Sequence, residues 1–148
     1  MTSSHATGSP RFIPTPSGYL MVLRQGDDLF AALEHLMTAE DIPSASLVGL
    51  GFAGAVTFGF YDFSKKDFTP RTFENVEMAS LAGSLAWQDG KPSIHAHGTA
   101  GNEDFSAFGG HILGLVVGTG SLEVTITRYD RRLERTIEPS IGANVLRL

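Results

Sequence analysis

The sequence contains no cysteine among its 148 residues. Disulfide bonds and thiolate metal sites are therefore excluded, and a metal site in this chain has to use histidine and carboxylate ligands. No apolar run approaches the roughly 20 residues that a bilayer-spanning helix needs. The beginning, MTSSHATGSP, also lacks the apolar core of a signal peptide. We therefore expect no membrane association and a cytoplasmic location.

The chain also lacks an excess of positive charge. It has 11 lysines and arginines against 16 aspartates and glutamates, which gives a formal net charge of −5. Proteins that neutralise DNA phosphates usually present a basic face instead. Four arginines do cluster late in the chain, with acidic residues among them: Arg128, Arg131, Arg132 and Arg135. A solvated charged surface is the favoured interpretation of this cluster, and DNA contact is the alternative.

The length and patterning predict one α+β domain over residues 18–148, after a flexible arm over residues 1–17 that is rich in Ser, Thr, Pro and Gly. Apolar residues at helical spacing predict one principal helix, capped by Asp27 or Asp28 and ending near Asp41, shortly before a proline. The remaining segments predict about seven strands in a mainly antiparallel sheet. The Asp-Gly pair in QDGK predicts a hairpin turn.

Three segments of the strand pattern leave room for interpretation. HILGLVVG (111–118) and SLEVTITRY (121–129) are predicted as two strands divided by a Thr-Gly pair. TFENVEMASLAGSLAW (72–87) is predicted as one long strand or two short ones. GLGFAG (49–54) has the spacing G-x-G-x-x-G, but a strand-like segment follows it where a nucleotide site needs a helix. A bend or bulge between strands is therefore favoured.

Three of the five histidines lie in KPSIHAHGTAGNEDFSAFGGHIL. Side chains alternate along a strand, so His95 and His97 share a face, and His111 can join them if its strand returns antiparallel beside theirs. Gly109 and Gly110 would permit close approach of the two backbones. Three imidazoles with a vacant fourth position are typical of zinc or a related divalent metal. Hydrogen-bonded histidines without a metal are the alternative.

Three carboxylates are candidates for proton transfer if such a site were catalytic. Glu77 lies among mostly apolar neighbours and needs a partner if it points inward, while an outward orientation on a half-buried strand is as consistent with the pattern. Glu103 and Asp104, in the loop before the third histidine, could carry protons or supply an oxygen ligand.

The order of these motifs resembles the plant and prokaryote conserved domain, which plant AT-hook nuclear proteins carry and which also occurs alone in bacteria and archaea. The resemblance spans roughly residues 19–148, and its most specific parts are VEMASLAGSLAWQDGKPSIHAH and FGGH. It implies a stand-alone bacterial member with an α+β fold, a homotrimeric assembly and a regulatory, DNA-binding type of function. It also implies that His95, His97 and His111 form a metal site, and that Glu77 is the family's glutamate.

The resemblance leaves three functions open: a metal-holding regulatory module, a metal-dependent enzyme that acts on a small molecule, or a scaffold without a ligand. DNA binding in the plant relatives belongs most clearly to the AT-hook, a basic R-G-R-P core that this chain lacks. The departures Asn102 and Phe105 stand where the family's loop usually carries an aspartate and a glycine. HILGLVVG (111–118) and AVTFGF (55–60) are the expected trimer interface, with the domain core as the alternative.

Overall fold

The structure of the protein, a computed structural model, describes residues 10–148. Within that range one helix and eight strands follow one another. The elements are β1 (Phe12–Thr15), β2 (Gly18–Arg24), α1 (Leu29–Ala39), β3 (Ser44–Asp62), β4 (Asp67–Gln88), β5 (Lys91–Gly101), β6 (Ala107–Tyr129), β7 (Glu134–Glu138) and β8 (Ala143–Arg147). The α+β class is confirmed, with eight strands where about seven were expected.

Helix α1 begins and ends within two residues of its predicted bounds. Asp28 is the N-cap, and its side-chain oxygen accepts a hydrogen bond from the backbone N–H of Ala31 at 2.9 Å. This bond satisfies one of the free donors of the first turn. The buried face of the helix carries apolar side chains at helical spacing: Leu29, Leu33, Leu36 and Met37. The helix contacts β5 and β6 and so supports the strands that carry the three histidines. Among residues 10–148 no helix has the length and apolarity to cross a membrane.

The strands form one sheet in the order β1-β2-β6-β3-β4-β7-β8, and β5 pairs with both β4 and β6. Each of β3, β4, β5 and β6 therefore hydrogen-bonds two of the other three, which closes them into a ring. All pairings are antiparallel except the single parallel bridge between β4 and β7. Because the ring closes between β5 and β6, the histidines of these two strands face each other.

Long strands replace several of the shorter predicted ones. TFENVEMASLAGSLAW lies within the single strand β4, and β6 runs through the Thr-Gly pair without a break, so the predicted division into two strands is wrong. The Asp89-Gly90 turn joins β4 to β5 with positive φ values of 51° and 76°, as a two-residue hairpin of the primed type requires. GLGFAG lies within β3 and carries the predicted bulge, because the register shifts between Gly49 and Gly51.

The arm expected over residues 1–17 is structured in its second half. β1 pairs antiparallel with β2, and the Arg11 side chain contacts the Asp27 carboxylate at 2.6 Å. Phe12 packs edge-on against Tyr19 with ring centroids 5.9 Å apart. These contacts hold residues 11–15 against the domain, which the turn-rich composition of the segment did not predict. Residues 1–9 of the predicted arm lie outside the described residues.

The two segments expected at a trimer interface divide their side chains between core and surface. In β6, Ile112, Leu115 and Val117 are buried while Leu113 and Val116 are exposed. In β3, Val56 and Phe58 are buried, and Phe60 is 79% exposed. The buried side chains belong to the core, which was the alternative for these segments, and a trimer interface at the exposed ones stays a prediction.

Candidate metal centre

His95, His97 and His111 meet on the neighbouring strands β5 and β6. His97 and His111 are direct partners in the antiparallel pair, which is the arrangement under which His111 was expected to join the other two histidines. His95 precedes His97 by two residues on the same strand and so lies on the same face. The return of β6 beside β5 therefore converts two separate motifs, H-x-H and G-G-H, into one cluster.

The nitrogens of this cluster are close enough to share one ion. The Nε2 atoms of His95 and His97 are 3.1 Å apart, and one ligand atom from each of the three histidines lies within 4.8 Å of the other two. Two nitrogens that bind one zinc ion at the usual distance and a tetrahedral angle are separated by about 3.3 Å. The His95–His97 pair matches this separation, and a small movement of His111 would complete a three-nitrogen set.

The surroundings of the histidines favour the neutral imidazole, which is the form that binds metals. The ring of His111 stacks on Phe68 with centroids 4.5 Å apart. Burial, with the neighbouring His95 and His97, lowers the pKa of His111 to about 4. Burial also lowers the pKa of His95, and the charges of His97 and Arg135 lower it further.

Close backbone approach brings the two histidine strands together. A Cβ atom on Gly109 would lie 2.1 Å from the carbonyl oxygen of Gly98 on β5. Only glycine fits this position without displacing the neighbouring strand. Gly110 follows, with a Cβ position 3.5 Å from the nearest atom. The close approach predicted for this glycine pair is therefore confirmed at Gly109.

The histidines open into a cavity of about 860 Å³. One wall comes from the end of β3 and the following turn, and another wall comes from the β7–β8 hairpin. The Tyr61 hydroxyl donates a hydrogen bond to the Ile141 carbonyl at 2.8 Å and ties these two walls together. Much of the wall is apolar, with contributions from Phe60, Phe63, Phe68, Ile137, Ile141 and Val145. A space of this size suits a small organic molecule.

The three candidate carboxylates do not reach this cavity. Glu77 is an exposed residue of β4 opposite Gly101, four residues along β5 from His97, which is about 13 Å of extended strand. Glu103 and Asp104 lie farther on, in the exposed turn between β5 and β6. Hydrogen bonds from Ser106 hold the pKa of Asp104 below its ordinary value. The proposed proton-carrying or ligating role of these residues is not supported, because long strands separate them from the histidines.

The arginine cluster is divided by the fold. Arg128 and Arg131 are exposed, as a DNA-contacting role would require. The Arg132 Nε atom lies 2.8 Å from a Glu134 carboxylate oxygen, and its guanidinium carbon lies 4.5 Å from the centroid of the Trp87 ring. This arginine is therefore engaged within its own subunit.

Arg135 is buried, with 4% of its surface exposed, so its assignment to a DNA-contacting surface is wrong. Nη1 donates to the backbone carbonyl and hydroxyl of Ser93, and Nη2 donates to the same two groups of Ser84. Arg135 and Ser93 both line the cavity beside the histidines. The alternation of Leu133, Arg135 and Ile137 with polar residues was the available sequence signal that this arginine points inward.

Solved structures with the same architecture are known from several prokaryotes. A "putative DNA-binding protein" from Ralstonia eutropha JMP134 shares 58% sequence identity and a TM-score of 0.91, over 93% of this chain and 96% of that chain. A protein of the same description from Bacteroides thetaiotaomicron shares 27% identity and a TM-score of 0.86, over 92% and 95%. A metal-containing protein from Archaeoglobus fulgidus shares the fold, with 24% identity and a TM-score of 0.78, over 90% and 94%.

Among curated proteins no sequence matches this chain. Residues 14–130 match the model of a protein family, and this range contains β2 to β6, the helix and all three clustered histidines. With the family match and the 58% identical neighbour in agreement, the chain belongs to the Plants and Prokaryotes Conserved (PCC) domain family.

Proposed function

We propose that this chain is a metal-binding regulatory PCC domain in which His95, His97 and His111 hold one divalent ion, zinc. The observation that carries the proposal is the convergence of three imidazole nitrogens within 4.8 Å of one another. The donor chemistry fits zinc, which accepts three histidine nitrogens and leaves a further coordination position free. The depressed pKa values of His95 and His111 favour the required neutral form at neutral pH.

The chain's own residues define what the site would do. A bound divalent ion would supply a positive charge and an open coordination position at the cavity. Stacking on Phe68 fixes the His111 ring, and the ladder between β5 and β6 fixes the spacing of the two strands. The apolar cavity wall limits the water around the site. Such a centre would be stable in shape and selective for what enters the cavity.

The test is the metal content per subunit of protein purified without added metal or an affinity tag. We expect one zinc per subunit in the native protein and none in the His95→Ala/His97→Ala variant. His35→Ala is the matched control, because His35 is exposed on α1, away from the cluster. Circular dichroism establishes that all three proteins are folded. Absence of metal from every sample, even after dialysis against zinc, would contradict the proposal.

We also propose that the chain assembles as a homotrimer, with the exposed apolar side chains of β3 and β6 at the contact. Val48 and Leu50 on β3 are more than half exposed, and Leu113 and Val116 on β6 are 38% and 39% exposed. Exposed apolar side chains that form a contiguous patch mark association surfaces. Sedimentation equilibrium should give three subunits for the native protein and one for Leu113→Glu/Val116→Glu. Lys65→Glu, in the exposed turn after β3, is the control for an added negative charge.

In this proposal any DNA contact is made by Arg128 and Arg131, because Arg132, which is also exposed, is held by Glu134 and Trp87. Three subunits around an axis would triple this small basic patch, which partly offsets the formal charge of −5 on each chain. DNA retention should fall as salt rises and should be lost in Arg128→Ala/Arg131→Ala, while Lys65→Ala serves as a control in the exposed turn between β3 and β4, at the opposite end of β3 from Ala45, the partner of Arg128. Retention that is equal in the three proteins would remove the arginines from the interface.

The cavity favours one second candidate function, a metal-dependent enzyme that acts on a small molecule. An open metal position that faces a space of about 860 Å³ is what such an enzyme requires. Turnover of small carbonyl compounds should then depend on added zinc and should vanish on chelation and in His95→Ala/His97→Ala. Metal binding without turnover would favour the regulatory function.

A further inference from the structure

The guanidinium of Arg135 carries a buried positive charge without a carboxylate partner among residues 10–148. Its four hydrogen-bond acceptors are the carbonyl and hydroxyl oxygens of Ser84 and Ser93, all of them neutral. The ion pairs of the described residues join other arginines to other carboxylates. A charge in the interior is normally compensated by an opposite charge. The uncompensated charge of Arg135 is therefore available to an anion from outside the chain.

The charge acts on the cavity that also holds the histidines. Of the described residues that line this cavity, none is an aspartate, a glutamate or a lysine, and Arg135 is the one permanently charged member. The chain as a whole is acidic, with a formal charge of −5. A cleft with one sign of charge and low-dielectric walls concentrates ligands of the opposite sign. The cavity therefore favours an anionic ligand, whereas the acidic chain as a whole repels one.

Ser93 provides the direct contact. Its hydroxyl oxygen accepts a hydrogen bond from Nη1 of Arg135 at 3.1 Å, which leaves its own O–H proton free to be donated. Ser93, His95 and His97 alternate along β5 and therefore share the face that lines the cavity. The hydroxyl, polarised by the guanidinium behind it, can donate to an anion that sits beside the histidines.

The occupied hydrogens of Arg135 limit the kind of anion. Because both Nη atoms already donate to the two serines, the guanidinium does not offer the two-pronged contact that phosphate groups typically receive. One hydroxyl donor with one positive charge behind it suits a carboxylate. The remaining wall is apolar: Phe60, Phe63, Ile137, Ile141 and Val145. These side chains would surround a hydrocarbon or aromatic body, and Phe60 and Ile137 are 79% and 59% exposed without one.

We propose that the cavity binds a small organic monocarboxylate. Its carboxylate accepts the Ser93 hydroxyl proton in the field of Arg135, and its apolar body lies between the aromatic end of β3 and the β7–β8 hairpin. The inference rests on the proposed metal function in one respect only: an ion at the histidines would give the carboxylate a second positive partner. The Arg135–Ser93 element acts with or without that ion.

Calorimetric titration with phenylacetate and with phenylacetamide tests this assignment, since the two probes share a body and differ in charge. Both zinc-treated and metal-free protein are titrated. We expect the acid to bind about tenfold more tightly than the amide, as a charge-assisted hydrogen bond provides. Ser93→Ala and Arg135→Gln should remove this preference, and Arg135→Lys should retain part of it. Ser121→Ala, on β6 and outside the cavity wall, should behave as the native protein.

Each outcome decides between the parts of the proposal. Preference for the acid that disappears in Ser93→Ala supports the inference, also when Arg135→Gln does not fold. Equal binding of acid and amide by both forms of the native protein overturns it and leaves the zinc measurement unaffected. Preference in a protein that takes up no zinc supports the carboxylate site and removes the metal function. Competition by inorganic phosphate as strong as that of phenylacetate overturns the assignment to an organic monocarboxylate.

Discussion

Replacement of Gly109 by alanine tests whether close packing of β5 and β6 creates the proposed metal centre. The added Cβ atom would lie 2.1 Å from the carbonyl oxygen of Gly98 and 3.0 Å from the Thr99 Cα atom, where ordinary contact begins at 3.4 Å. Backbone atoms cannot rotate away, so β5 and β6 must separate locally by about 1 Å. Overpacking of this kind lowers the free energy of unfolding by about 2 to 3 kcal/mol. His97 and His111 are partners two residues from the contact, so their nitrogens should separate too.

Two measurements report the effect of Gly109→Ala. Urea denaturation, monitored by the fluorescence of the single tryptophan, gives the free energy of unfolding, and competition with a chelator gives the zinc affinity. We expect Gly109→Ala to weaken zinc binding by more than about tenfold. Gly101→Ala is the matched control on the same ladder, because its Cβ atom would lie 3.7 Å from its nearest neighbour. Equal stability and equal zinc affinity in the two variants would refute the close-packing explanation.

Three further changes test the folded-state contacts. The folded-state pKa of His111, about 4, lies below the ordinary 6.5, so the unfolded chain binds more protons between these values. The unfolding free energy of metal-free protein should fall as the pH falls from about 6.5 towards 4, and it should fall less steeply in His111→Gln. Urea denaturation at several pH values measures this dependence. Equal slopes of the unfolding free energy against pH in the two proteins would contradict the prediction. Trp87→Phe removes a buried donor to the Ile42 carbonyl and should cost about 1 to 3 kcal/mol, measured by urea denaturation followed by circular dichroism because the variant has no tryptophan. Asp28→Ala should cost about 1 kcal/mol by loss of the helix cap, while Asp28→Asn retains it.

Local signals in the sequence were sufficient for the helix, the hairpin and the pairing of the first two histidines. A cap, helical spacing and a following proline delimit α1, because each acts within a few residues of the helix. The Asp-Gly turn sets the register of β4 and β5. Period-two alternation then places His95 and His97 on one face. The number of strands was less accessible, because an extended strand can pass through Thr-Gly or GLGFAG without ending.

The β7–β8 hairpin shows what local signals leave out. Arg135 on β7 was assigned to a surface patch because it is one of several arginines close together in the sequence. In the fold, the single parallel bridge between β4 and β7 and the contact between Tyr61 and Ile141 bring this hairpin over the histidines. The ring of Phe68 also stacks on His111, although the two residues are 43 positions apart in the sequence, and no motif predicted this contact.

The sequence by itself determined the three candidate histidines, the absence of thiolate ligands and the shared face of His95 and His97. Only the tertiary structure decided which other groups share their cavity. In the structure, Arg135 lies in the cavity wall and not on the surface. Glu77, Glu103 and Asp104 lie beside or beyond the end of β5, away from the cavity. The physical reason is that short-range signals set the conformation of each strand, whereas cavity walls arise from ring closure and hairpin docking between distant segments.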